Sequence, residues 1–138
     1  MRFLLIFLSL LFIPSAHCQP QGLSFSQLNI EDFYIRLNTE INKLILDVRP
    51  YRDFKKEHVP GSISVDDKKT LNKLTDTLDL EIYLFVYCNE NSRSLEVCQI
   101  LQEQNFKNIY MLNGGIIEWK KRKFELYKKK SRLKKSNL

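Results

Sequence analysis

The sequence predicts an α/β fold, a small central and mainly parallel five-stranded sheet with helices on both faces. Three observations carry this. Short apolar runs alternate along the chain with segments of helical spacing, the pattern of a sheet wound with helices. Two of the runs, Leu44-Ile45-Leu46 and Ile82 to Tyr87, lack a polar face, as strands covered on both sides do. Turn signals at Pro60-Gly61 and Gly114-Gly115 separate the elements.

In chain order, Leu23-Ser24-Phe25 can open a short first strand. Asn29 is suited to cap a helix from Ile30 to Asn38, with Glu31 and Asp32 in the first turn, where the helix dipole favours acids. Leu44 to Leu46 is a strand ending at Asp47. Pro50 then suits the start of a short helix, Tyr51 to Glu57. Ile63 to Val65 is a further strand. Leu71, Leu74 and Leu78 recur at helical intervals in Lys68 to Leu78. Ile82 to Tyr87, β-branched and aromatic, is the strongest strand. Ser92 to Gln104 is helical, Ile109 to Leu112 the last strand, and Ile116 to Lys123 a closing helix.

The 138 residues allow one domain, and 43% hydrophobic with 28% charged residues is a globular composition. The net charge of +6 is unevenly spread. From Lys120 onward ten basic residues face one acid, Glu125, whereas the preceding 119 residues carry 12 basic and 15 acidic side chains. The body is therefore acidic, and the basic character belongs to the end. Residues 127–138 read as a basic, solvated tail with a weak attraction to anionic membrane surfaces. Little aromatic interleaving accompanies these charges, so no nucleic-acid partner is expected.

Residues 1–18 read as an export signal. Arg2 supplies the positive start, Phe3 to Ile13 is an apolar run interrupted by Ser9, and Ala16 and Cys18 fit cleavage before Gln19. The run is short for a transmembrane helix, which needs roughly 20 residues. The expected location is periplasmic or secreted, with an uncleaved membrane anchor as the alternative. His17 argues against Cys18 as a lipidated cysteine. The domain then runs over 19–126 with two free thiols, Cys88 and Cys98.

The chemistry concentrates at Cys88-Asn89-Glu90-Asn91-Ser92-Arg93-Ser94. A buried strand delivers Cys88 to its carboxyl end, where open parallel sheets bind ligands. A short loop into a helix can turn successive amides inward and form an anion site. Asn91 can take the left-handed conformation such a cradle uses. An ordinary thiol is only about 3% thiolate at pH 7. Inward amides, the helix dipole and Arg93 all favour the anion, and a persulfide would be held by the same donors. The bland alternative is a cysteine buried for packing.

Three stretches resemble rhodanese domains. Leu46-Asp47-Val48-Arg49 with Glu57-His58-Val59-Pro60-Gly61-Ser62 is similar to that family's Asp-Val-Arg and His-Ile-Pro-Gly-Ala segments. Tyr87-Cys88 through Arg93-Ser94 resembles its active-site loop, and Leu112-Asn113-Gly114-Gly115-Ile116 with Trp119 its closing segment. The likeness runs in order from about Leu23 to Phe124. It implies a sulfurtransferase in which Cys88 accepts sulfur and Asn89, Glu90, Asn91, Ser92 and Arg93 cradle the transferred group. It implies no metal or organic cofactor. The implied partners are a sulfur donor such as thiosulfate or a persulfide, including one on a protein, and a thiol or cyanide acceptor. Asp47, Arg49 and Ser94 are supporting candidates.

The loop departs from many relatives in carrying Glu90 and no glycine. A carboxylate at its mouth would repel thiosulfate, by about 1 kcal/mol at about 4 Å in water, so persulfide donors are expected to be preferred. Two rival readings stand beside this one. Phosphatases and arsenate reductases of the same architecture use a loop one residue longer than the four residues between Cys88 and Arg93. A non-catalytic binding or persulfide-carrier module would keep the fold alone. Other residues favour structural roles. His58 lies in a turn, Cys98 shares a helix face with Leu95 and Leu101, and Trp119 suits a core anchor. With His17 in the signal, a histidine-based zinc site is not expected.

Overall fold

The computed structural model describes residues 24–129, so the expected signal segment lies outside the described residues. The elements are β1 (Ser26–Leu28), α1 (Ile30–Thr39), β2 (Lys43–Asp47), α2 (Tyr51–Lys56), β3 (Glu57–His58), β4 (Ser62–Ser64), α3 (Lys68–Thr75), β5 (Tyr83–Tyr87), α4 (Ser92–Glu103), β6 (Asn108–Leu112), α5 (Gly115–Lys121) and β7 (Tyr127–Lys128). Five strands form one sheet in the order β1-β6-β5-β2-β4, every pairing parallel.

Strand alternation sorts the core into two layers. Leu84, Val86 and Cys88 face one side, where Leu71 of α3 and Cys98 and Leu101 of α4 cover them. Phe85 and Tyr87 face the other, against Ile30, Phe33 and Leu37 of α1 and Ile116 and Trp119 of α5. Helices thus lie on both faces, and the central strands are apolar on both sides for that reason. Asn29 caps α1 as its sequence suggests, its side chain accepting from the Asp32 amide at 2.8 Å.

Three differences from the sequence reading have physical causes. The first strand is Ser26–Leu28 rather than Leu23–Phe25. It pairs only with β6, and an edge strand with a single neighbour tolerates polar residues. The third expected strand begins one residue earlier, because Ile45, Leu46 and Asp47 pair with Ser62, Ile63 and Ser64. Finally, Tyr127 and Lys128, read as the start of a solvated tail, pair antiparallel with His58 and Glu57. Aromatic stacking drives this small sheet, since the His58 ring lies between Phe54 (centroids 3.9 Å apart) and Tyr127 (4.7 Å). Among the described residues, no helix is long and apolar enough to cross a membrane.

Candidate active site

Because all five strands are parallel, the segments following β2, β4, β5 and β6 meet at one edge of the sheet. Cys88 follows β5 there and is 2% exposed. It ends the row Leu84-Val86-Cys88 on the α3/α4 face. The backbone beyond it is fixed from the β6–α5 side. The Ile116 amide donates to the Cys88 carbonyl at 2.9 Å, and the Ile117 amide to the Asn89 carbonyl at 3.4 Å. In a trans peptide the N–H points opposite the C=O, and no peptide bond here is cis. The amides of Asn89 and Glu90 therefore point away from α5.

This stitching depends on a close approach. Gly115 has φ +59°, and a Cβ there would stand 2.5 Å from the carbonyl oxygens of both Cys88 and Asn89. Only glycine fits such a contact in that conformation. Asn91 adds a second tie. Its Oδ1 accepts from the Gly114 amide at 2.8 Å, and its Nδ2 donates to Asn113 Oδ1 at 3.1 Å. The expected left-handed geometry at Asn91 is not observed. Its φ is −138°, because its side chain, rather than a reversal of its backbone, joins the loop to the next turn.

The loop is consequently rich in free donors. Among the described residues, the amides of Asn89 through Ser94 donate to no protein acceptor, and the first return bond of α4 runs from Leu95 to the Asn91 carbonyl. Asn91 offers α4 no side-chain cap. Ser94, in the first turn of α4, is fully buried, and its Oγ has no hydrogen-bond partner among the described residues. Buried polar groups of this kind are costly unless something pairs with them. A loop with unpaired amides, an open helix N-terminus and an orphaned hydroxyl has the donor set for an anion.

The other candidates fall in different places. Asn89, Glu90, Ser92 and Arg93 are exposed. The Arg93 guanidinium reaches the Asp66 carbonyl at 2.6 Å, on the α3 side of the loop. Asp47 and Arg49 form a buried ion pair at 2.6 Å. The Tyr87 hydroxyl donates to Asp47 Oδ2 at 2.6 Å, which ties that pair to the sheet face opposite Cys88. Burial opposes the Arg49 charge, but the hydrogen bond and field of Asp47 outweigh it and hold its pKa above the ordinary value. Burial, followed by the charge of Asp47, pushes the Tyr87 hydroxyl far up.

His58 Nδ1 lies 2.8 Å from the Phe54 carbonyl, a structural contact. Cys88 and Cys98 are both free thiols. Cys98 is fully buried in the core, and burial, then Cys88, pushes its pKa far up. Sequence reasoning placed Tyr87 and Gly115 within the resembling stretches but assigned neither an individual role. The Gly114-Gly115 pair did signal a turn, but its contact with the Cys88 backbone is long-range.

This fold, with a cysteine at the carboxyl end of a central parallel strand and a short loop into a helix, defines a rhodanese-like domain. The chain belongs to that family, and the model of the rhodanese-like domain matches residues 30–122. It is 35% identical over 77 residues to the thiosulfate sulfurtransferase GlpE of Coxiella burnetii, covering 56% of this chain and 71% of that one. It is 23% identical over 106 residues to the putative sulfur carrier protein YrkF of Bacillus subtilis, covering 75% of this chain and 55% of the relative. Among solved structures, the rhodanese-like domain of Anabaena Alr3790 superposes with a TM-score of 0.68 at 20% identity, covering 80% of this chain and 86% of that domain.

Proposed function

We propose that the protein is a sulfurtransferase that carries sulfane sulfur as a persulfide on Cys88. The observation that carries this reading is the run of amides from Asn89 to Ser94 without protein acceptors, beside the buried and unpartnered Ser94 hydroxyl. These donors suit an anionic sulfur at the strand end. They act by fixed orientation, as preorganised donors do where charge must be held. The relatives named thiosulfate sulfurtransferase support the transfer chemistry.

In the first step the Cys88 thiolate attacks the sulfane sulfur of the donor. With thiosulfate, the new S–S bond forms as the sulfur–sulfur bond of the donor breaks, and sulfite leaves with the electron pair. In the second step an acceptor thiolate attacks the outer sulfur of the persulfide. The Cys88 S–S bond breaks, the thiolate of Cys88 is restored, and the acceptor departs as a persulfide. Buried, protonated Cys98 takes no part.

Glu90 is exposed at the loop and forms no ion pair among the described residues, so its charge disfavours a dianionic donor. A small-molecule or protein persulfide is the preferred donor in this reading. Mass spectrometry of the intact protein after exposure to a donor is the test. A gain of about 32 Da, one sulfur on the thiol, that is absent in Cys88→Ser supports transfer. Native protein that gains no mass with thiosulfate or with any persulfide overturns it.

A further inference from the structure

A concavity adjoins the loop at Arg93, and the chemistry described above makes no use of it. It holds about 100 Å³ between α3 and α4. Its apolar lining is made by Val48, Val65, Leu71, Val97 and Ile100. Its rim is ionic. Asp66 and Lys68 stand on one side, Arg93 and Glu96 on the other.

Two residues join this cavity to the reactive loop. Arg93 closes the Cys88–Arg93 loop and also walls the cavity, held there by its bond to the Asp66 carbonyl. Val48 lines the cavity and packs in the same core layer as Cys88. Both Val48 and Val65 directly follow parallel strands, so this wall of the cavity lies at the carboxyl end of the sheet, the end that also carries Cys88.

We propose that this cavity is the subsite for the acceptor, and that it selects a small aliphatic thiol bearing both a carboxylate and an ammonium group. This rests on the sulfurtransferase reading. The volume suits a short aliphatic stem, since a cavity of about 150 Å³ accommodates benzene. The rim suits a zwitterion. Lys68 and Glu96, together with the Asp66 carboxylate, form no ion pairs among the described residues, so both signs are on offer. Asp67 is otherwise engaged, capping α3 through the Thr70 amide at 2.7 Å. Cyanide, with neither stem nor zwitterion, would gain nothing from the cavity.

The experiment uses the full chain loaded with persulfide and discharged into homocysteine or cyanide. Val97→Phe fills the cavity, and Lys68→Glu reverses one rim charge on an exposed helix turn. Both are expected to raise the KM for homocysteine about 10-fold, the scale on which an apolar pocket discriminates by a single methylene. Cyanide kinetics are expected to stay the same. Equal changes for both acceptors, or no change for homocysteine in either variant, overturn the subsite while leaving the transferase reading intact. Native persulfide that discharges to neither acceptor overturns both.

Discussion

Arg49 grips a carboxylate only two residues away. Its Nε donates to Asp47 Oδ1 at 2.9 Å, its Nη2 to Oδ2 at 2.6 Å, and its backbone amide to Oδ1 at 3.0 Å. The same Nη2 reaches the Glu57 carbonyl at 2.7 Å. The pair therefore fastens the end of β2 to β3, and the Tyr87 hydroxyl adds β5 to the knot. These are the contacts of a structural support, on the sheet face away from the thiol.

Arg49→Leu leaves the buried Asp47 carboxylate without its cation. Removing one partner of such a pair costs about 3–5 kcal/mol. Urea denaturation is expected to show a loss of this size. Loading of Cys88 in the fraction that remains folded is expected to persist, which separates support from chemistry.

Gly115→Ala tests the contact that sets the loop. The left-handed position alone costs a non-glycine residue about 1–2 kcal/mol. The new Cβ also meets two carbonyl oxygens, so the β6–α5 turn must retreat from Cys88 and Asn89. Persulfide formation is expected to fall by more than the loss of stability explains, as read by mass spectrometry beside thermal melts.

Ser94→Ala is expected to slow loading without lowering stability. Deleting a buried hydroxyl without a partner removes a desolvation penalty of about 1–3 kcal/mol, so the unloaded protein melts at the same or a higher temperature. Loading of Cys88 becomes slower, because one donor for the anionic sulfur is gone.

Glu90→Gly removes the only carboxylate of the Cys88–Arg93 loop. A repulsion of about 1 kcal/mol corresponds to roughly fivefold, so kcat/KM for thiosulfate is expected to rise by about that factor at low salt. The gain shrinks as salt screens the charge. Persulfide donors, which present a single negative charge on the reacting sulfur, are expected to change less than dianionic thiosulfate.

Stability is expected to fall on the alkaline side. Cys98 and Tyr87 have pKa values raised by burial from ordinary values of 9.0 and 10.0. The folded state keeps these protons, whereas the unfolded chain releases them once the pH passes those values. Stability is thus whole below about pH 9 and declines as the pH rises further. Melting temperatures recorded between pH 7 and 11 are expected to show this slope, and Tyr87→Phe and Cys98→Ala to flatten it.

The parallel sheet and its central strands are legible in the amino-acid order, because strands covered on two faces must be apolar along their whole length. So are the position of Cys88 at a strand end and its spacing to Arg93, since both are local. The edges and the ties came from three-dimensional packing instead. β1 is polar and takes its place from its pairing with β6. β3 and β7 are two residues each and join segments about seventy positions apart, too short to leave a periodic signal. The same holds at the loop. Its amides are turned by Ile116 and Ile117, its side is held through Asn91, and its approach is permitted by Gly115. Each of these contacts crosses more than twenty residues of chain, and only packing brings such partners together.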